Sequence, residues 1–279
     1  MSDEPYCCEA AASEPMVGTA DTVDVWLLLE YRPTWRAKAL EDNALSPDVR
    51  AWLQSCVAAY AAQGRKARPQ FVRQPEYERT GVTLFVADAD GCRRFDAVSY
   101  DALATVDLAR GGEAVAEPHY FVCTNAARDR CCGRFGLPVY AALRERVGAR
   151  VWQTTHVGGH RFAPNVLVLP EGRLYGRVQP ADVGDFVATV ERGALGARWL
   201  RGTSFVAPAL QAAEAFVAAA DDTPARRGRM ESLAPDRFRV SFDDGRAVTV
   251  ALGAEIESLA SCGDATPKRL RPFVRGEPL

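Results

Sequence analysis

Hydrophobic and amphipathic segments follow the same order in two successive parts of the chain. In the first part, the apolar, β-branched segment 22–31 predicts a buried strand, and Ser46-Pro47 predicts the start of a helix with apolar residues at helical spacing. A candidate strand at 69–73, a hairpin turning at 88–91 and a short helix at 100–109 follow. The predicted order is therefore strand, helix, strand, hairpin, helix.

The second part of the chain repeats this order. Its strand, helix, strand, hairpin and helix are predicted at 119–124, 135–147, 150–155, 165–178 and 181–191. Pro138 is expected near the start of its helix, because proline is favoured in the first turn. The repetition predicts an α/β fold of two tandem thioredoxin-like βαβ-hairpin-α units.

A third, smaller module is predicted after the two units. An amphipathic helix at 208–220 is followed by strands at 237–242 and 247–252, which are joined by a turn rich in Asp and Gly. The expected division of the chain is an N-terminal thioredoxin-like unit without ligands, a second thioredoxin-like unit that carries the candidate ligands, and a small C-terminal β module. These domains cover residues 1–110, 111–222 and 223–279.

Charge and hydropathy exclude several classes of partner. Lys and Arg number 34 against 36 Asp and Glu, so no basic field is available to attract nucleic acid or an anionic membrane. The longest apolar run, residues 25–29, is far too short to span a bilayer, and the acidic residues 1–9 lack the features of a signal peptide. We therefore expect a cytoplasmic protein.

Candidate ligands are concentrated in the second unit. Two of the three histidines stand in His156-Val-Gly-Gly-His160, and Cys123, Cys131 and Cys132 lie a few tens of residues upstream. Sulfur and imidazole donors of this kind suit zinc or an iron–sulfur cluster. The paired glycines favour a tight turn over a regular helix. The other cysteines are interpreted as core or surface residues without a role: Cys7, Cys8, Cys56, Cys92 and Cys262.

Several strings in the second unit closely resemble the sucrase/ferredoxin-like family, and the resemblance covers roughly residues 18–201. The strings are Cys123-Thr-Asn-Ala-Ala-Arg-Asp129, Cys131-Cys-Gly-Arg-Phe-Gly136, Trp152-Gln-Thr-Thr-His-Val-Gly-Gly-His-Arg-Phe-Ala-Pro-Asn165 and Leu169-Pro-Glu-Gly-Arg-Leu-Tyr-Gly-Arg177. The resemblance implies a thioredoxin-like ferredoxin with a 2Fe-2S cluster on Cys123, Cys132, His156 and His160. Cys131 is the alternative to Cys132.

The first functional hypothesis is a one-electron carrier that accepts electrons from a flavin-dependent ferredoxin reductase, rather than an enzyme with its own substrate. Two neutral imidazoles in place of two thiolates would raise the reduction potential and couple reduction to protonation. Three nearby arginines are interpreted either as a source of positive field near the cluster or as solvated loop charges: Arg128, Arg130 and Arg161.

Two alternatives involve other chemistry. A structural Cys2His2 zinc site in an interaction protein uses the same four ligands, although the loop between the two cysteines is long for a zinc finger. A thiol oxidoreductase based on Cys131 and Cys132 is disfavoured, because the chain has no Cys-x-x-Cys opening a helix.

Overall fold

The computed structural model describes residues 6–225 and 227–277. Residues 1–5, which contribute to the expectation of no signal peptide, lie outside the described residues. The chain begins with a short helix, α1 (Cys7–Ala10), and then an extended segment that leads to the first strand.

The N-terminal unit has the predicted strand–helix–strand–hairpin–helix order. Its elements are β1 (Val25–Glu30), α2 (Pro47–Ala61), β2 (Ala67–Arg73), β3 (Val82–Asp88), β4 (Gly91–Ala97) and α3 (Tyr100–Ala104). Ser46 is the N-cap of α2 and accepts a hydrogen bond from the backbone N–H of Val49, as the sequence predicts. A short strand, β5 (Glu113–Ala114), extends the edge of the sheet.

The second unit follows in the same order. Its elements are β6 (His119–Cys123), α4 (Arg130–Val147), β7 (Val151–Thr154), β8 (Val166–Leu169), β9 (Arg173–Tyr175) and α5 (Val183–Glu191). Short 3₁₀ helices occupy Gly148–Arg150, His160–Phe162 and Pro180–Asp182. The strand β10 (Leu200–Thr203) and the helix α6 (Pro208–Ala218) follow α5 and connect this unit to the C-terminal module.

Strand order confirms the predicted thioredoxin-like fold of both units. In the first, the order is β2-β1-β3-β4, with β1 parallel to β2 and antiparallel to β3. In the second, the order is β7-β6-β8-β9, with β6 parallel to β7 and antiparallel to β8. Corresponding elements therefore hold the same positions in the two sheets, and the predicted duplication is confirmed.

The two sheets join into one. The edge strands β2 and β7 pair antiparallel, with Val72 opposite Thr154 and Arg73 opposite Gln153. One face of the joined sheet carries an apolar layer that includes Trp26, Phe85, Phe121 and Trp152. Alternate residues of β1 point into this layer and into the layer beneath α2, so both faces of the strand are buried. The continuous apolar run of β1 follows from this double burial.

The C-terminal module has more strands than the hairpin predicted from sequence. Its main sheet has the order β11-β12-β13-β16, and β14 pairs with β15 in a separate ribbon. The strands are β11 (Gly228–Ala234), β12 (Arg237–Phe242), β13 (Ala247–Leu252), β14 (Ile256–Ser258), β15 (Lys268–Leu270) and β16 (Phe273–Arg275). The main sheet packs against α6.

Two features differ from the sequence-based expectations. The helix α4 begins at Arg130 rather than at residue 135, because Asp129 caps it and Pro138 lies inside the helix. Cys131 and Cys132 therefore belong to a first helical turn and not to a loop. In addition, the segment before β1 packs on the second unit, since Arg177 donates hydrogen bonds to the backbone oxygens of Ala11 and Glu14.

Candidate metal centre

The four predicted ligands come together at one end of the second unit's sheet. Cys123 ends β6, where it lies opposite Thr154 of the parallel strand β7, and His156 follows two residues after that strand. Cys132 stands in the first turn of α4, and His160 begins a 3₁₀ helix. A Cβ at Gly136 would clash with the backbone oxygen of Cys123, so glycine lets α4 pack closely against the end of β6.

The donor atoms form two overlapping sets. Those of Cys123, Cys132 and His156 lie within 4.8 Å of one another, as do those of Asp129, Cys132 and His160. The Sγ of Cys132 is 3.5 Å from Nδ1 of His160, and the two imidazoles stack with 3.7 Å between ring centroids and 14° between planes. Cys131 belongs to a different set, with Cys7 and Cys262.

Electrostatics favour the protonation state that a metal ligand needs at Cys123 and His160, but not at Cys132. A hydrogen bond from the Cys132 thiol holds the pKa of Cys123 well below its usual value, and that bond raises the pKa of Cys132. Burial, together with the neighbouring His156, lowers the pKa of His160 to about 4. His160 is therefore neutral near pH 7, and a bound metal would hold both cysteines as thiolates.

The turn that carries both histidines is held by a buried arginine. Gly158 and Gly159 have φ values of 89° and 69°, which non-glycine residues rarely adopt. Arg201 is 1% exposed, and its Nη1 donates to the backbone oxygen of Gly158 and to Oδ1 of Asn165, at 2.9 Å each. Asn165 in turn donates from Nδ2 to the backbone oxygen of Gly159 at 2.9 Å. Arg201 thus fixes the spacing of the two imidazoles.

Replacing Arg201 with methionine should destabilise the protein and reduce its metal content. The substitution leaves the Gly158 oxygen, Asn165 Oδ1 and the Thr19 oxygen without this donor, a loss of roughly 3 kcal/mol or more in free energy of unfolding. Arg192→Met, at an exposed arginine, is the control and should change stability by less than about 0.5 kcal/mol. Urea denaturation and metal analysis measure both effects; equal stability and metal content in the two variants would contradict this role.

The four donor atoms do not form one compact set. In a tetrahedral zinc site with Zn–S of about 2.3 Å, all ligand atoms lie within roughly 4 Å of one another. Here His160 is missing from the first set and Cys123 from the second, so the four donor atoms are not all within 4.8 Å. If a metal cofactor is bound here, Cys123 and Cys132 would hold it from one side and His156 and His160 from the other.

The remaining predicted residues have different surroundings. Arg161 donates to Oε2 of Glu14 at 2.8 Å, so its charge is paired. Arg128 is exposed, and its charge contributes to lowering the pKa of His160. His119 lies outside the donor sets, and its Nδ1 is 3.0 Å from the backbone oxygen of Glu117.

Two important residues were missed by the sequence analysis. Asp129 could have been recognised as an N-cap, because Asp is strongly preferred there. Arg201 has no distinguishing pattern in the sequence, since its partners Gly158, Asn165 and Thr19 are distant along the chain. Cys7, Cys8 and Cys262 were assigned no role, whereas the structure places them beside Cys131.

Comparisons with known proteins give one family and one related structure. The family model described as Sucrase/ferredoxin-like matches residues 16–202. No curated protein sequence gives a significant match. A solved structure, a cysteine-to-serine variant of the thioredoxin-like 2Fe-2S ferredoxin from Aquifex aeolicus, is 26% identical, covering 30% of this chain and 96% of that chain with a TM-score of 0.27. Because this TM-score is low, the fold assignment rests on the strand order.

Within residues 6–225 and 227–277, no helix is both long and apolar enough to cross a bilayer.

Proposed function

Because the chain belongs to the sucrase/ferredoxin-like family, we propose that it is a one-electron carrier with a 2Fe-2S cluster bound by Cys123, Cys132, His156 and His160. The observation that supports this proposal most directly is the arrangement of donor atoms, in which paired thiols and stacked imidazoles share one buried end of the sheet. When bound, such a cluster accepts and releases one electron.

The ligand residues determine the net charge of the cluster site, and this charge affects the reduction potential. Two thiolates and two neutral imidazoles carry two fewer negative charges than four thiolates. Adding an electron therefore costs less, and the reduction potential should lie roughly 250 mV or more above that of an all-cysteine plant-type site. The low pKa of His160 keeps this imidazole neutral in the metal-free protein, which is the form that binds iron.

Burial restricts access to the site. Cys123 and Cys132 are each 1% exposed and His160 is 7% exposed, whereas His156 is only half-buried. Water and a redox partner can thus approach along the His156 side.

We further propose that the electron donor is a flavin-dependent reductase, because flavins divide the two electrons of a nicotinamide into single-electron steps.

Metal and sulfide analysis tests the proposal. The purified protein should be red-brown and should contain about two iron atoms and two acid-labile sulfides bound at this site. A colourless protein with zinc bound by Cys123, Cys132, His156 and His160 would contradict the proposal and favour the structural zinc alternative.

A further inference from the structure

A second group of cysteines lies beside the candidate cluster site. Cys7 comes from α1, Cys131 from the first turn of α4, and Cys262 from the loop between β14 and β15. The Sγ–Sγ distances are 3.4 Å between Cys7 and Cys131, 3.3 Å between Cys131 and Cys262, and 3.5 Å between Cys262 and Cys7. Three sulfurs from distant parts of the chain thus form a nearly equilateral triangle.

The triangle has the size that one thiophilic ion requires. With Zn–S bonds of about 2.3 Å, an ion bound to all three sulfurs would lie only about 1 Å above their plane. A disulfide could link only two of the three thiols. The donor atoms of this group all lie within 4.8 Å of one another, whereas those of the first site do not. This compactness favours a single ion over a multi-iron cluster.

Cys8 is available as a fourth ligand. It lies in the same buried group as Cys7 and Cys131, but its Sγ is not in the set of donor atoms that all lie within 4.8 Å of one another, so its side chain would have to move to bind the ion. The nearby Asp129 is already engaged, because Oδ1 accepts from the backbone N–H of Cys131 at 2.9 Å. Its Oδ2 accepts from the backbone N–H of Cys262 at 3.0 Å and from Oγ of Ser261 at 2.9 Å. Asp129 therefore acts as a positioning residue that fixes two of the cysteines.

We propose that Cys7, Cys131 and Cys262 bind one structural Zn²⁺ ion, and that Cys8 completes the site when its side chain moves toward the other three. Four sulfur ligands in a closed, largely buried tetrahedral site are typical of structural zinc. The ion would link the N-terminal segment, the helix that carries Cys132 and the C-terminal module. These segments are separated by 124 to 255 residues along the chain, so one ion would close very long loops.

Metal analysis of the full-length protein tests this proposal. Protein produced with iron and zinc in the medium should contain about one zinc per chain in addition to its iron. Cys7→Ser and Cys262→Ser should each reduce zinc to less than about a tenth of an equivalent, while the iron content and visible absorption stay unchanged. Cys8→Ser should weaken zinc retention against a chelator at least about tenfold.

Matched controls come from the chain's other cysteines. Cys92 is buried like Cys7, and Cys56 is half-buried like Cys262; both belong to the N-terminal unit. Cys92→Ser and Cys56→Ser should retain zinc. A wild-type protein without zinc, a disulfide among these four cysteines under reducing purification, or zinc retention by Cys7→Ser and Cys262→Ser would overturn the proposal. Since iron is measured separately, failure of this site is distinguishable from failure of the proposed electron-carrier function.

Discussion

Replacing Cys132 with serine should abolish the visible absorption of the protein, whereas replacing Cys131 with serine should leave it coloured. The two residues are adjacent in the first turn of α4, yet their side chains have different neighbours. Cys132 is grouped with Cys123 and His156, and Cys131 is grouped with Cys7 and Cys262. A serine oxygen is a poor substitute for a thiolate at iron, so Cys132→Ser should lose most of its iron.

Absorption spectra and iron content of the two purified variants measure this difference. Each variant is the matched control for the other, because the same substitution is made one residue apart on the same helix. Circular dichroism should show that both remain folded. If Cys131→Ser is bleached and Cys132→Ser is coloured, Cys131 is the ligand and our assignment is wrong.

The reduction potential should depend on pH, because histidine ligands carry a second ring nitrogen that can hold a proton. Reduction adds one negative charge to the site, and the outer imidazole nitrogens then hold their protons more tightly. His156 is the ligand best placed for exchange with water, since it is half-buried while His160 is 7% exposed. Within the pH range where reduction takes up one proton, the potential should fall by about 59 mV per pH unit.

Outside that range the potential should be constant with pH. Replacing both histidines with cysteine should lower the potential by roughly 250 mV or more and remove the slope, because thiolate ligands offer no such proton. Voltammetry from mildly acidic to strongly alkaline pH measures both properties. A wild-type potential that stays flat throughout would show that the imidazoles are not ligands or do not exchange protons with solvent.

Local sequence patterns predict the two units well because each unit is built from contiguous elements. The continuous apolar, β-branched run of β1 and the helical spacing in α2 identify these elements without knowledge of their neighbours. The pairing of β2 with β7 was not predicted, because it joins two edge strands about 80 residues apart. The hydrophobic pattern of a strand does not specify which edge strand of the other unit it pairs with.

The four ligands could be predicted because they lie in two short strings of sequence. The residues packed around them could not, because they come from distant parts of the chain. His156 and His160 lie in one short string, and Cys123 and Cys132 in another. The helix α4 begins before its predicted start at residue 135, because Asp129 caps it and Pro138 lies inside the helix instead of in its first turn. Cys7 and Cys262 approach Cys131 only through tertiary packing, so spacing along the chain gives no indication of their proximity.

Histidine ligation of iron is the central claim, and pulsed electron paramagnetic resonance of the reduced protein tests it most directly. The chain has three histidines, and His119 lies outside the donor sets. In protein grown with ¹⁵N-labelled histidine, strong coupling to labelled nitrogen should therefore come from His156 and His160. We predict two strongly coupled histidine nitrogens in the wild-type protein, one of which disappears in His156→Cys. A paramagnetic 2Fe-2S signal without strongly coupled histidine nitrogen would contradict the assignment of His156 and His160 as ligands.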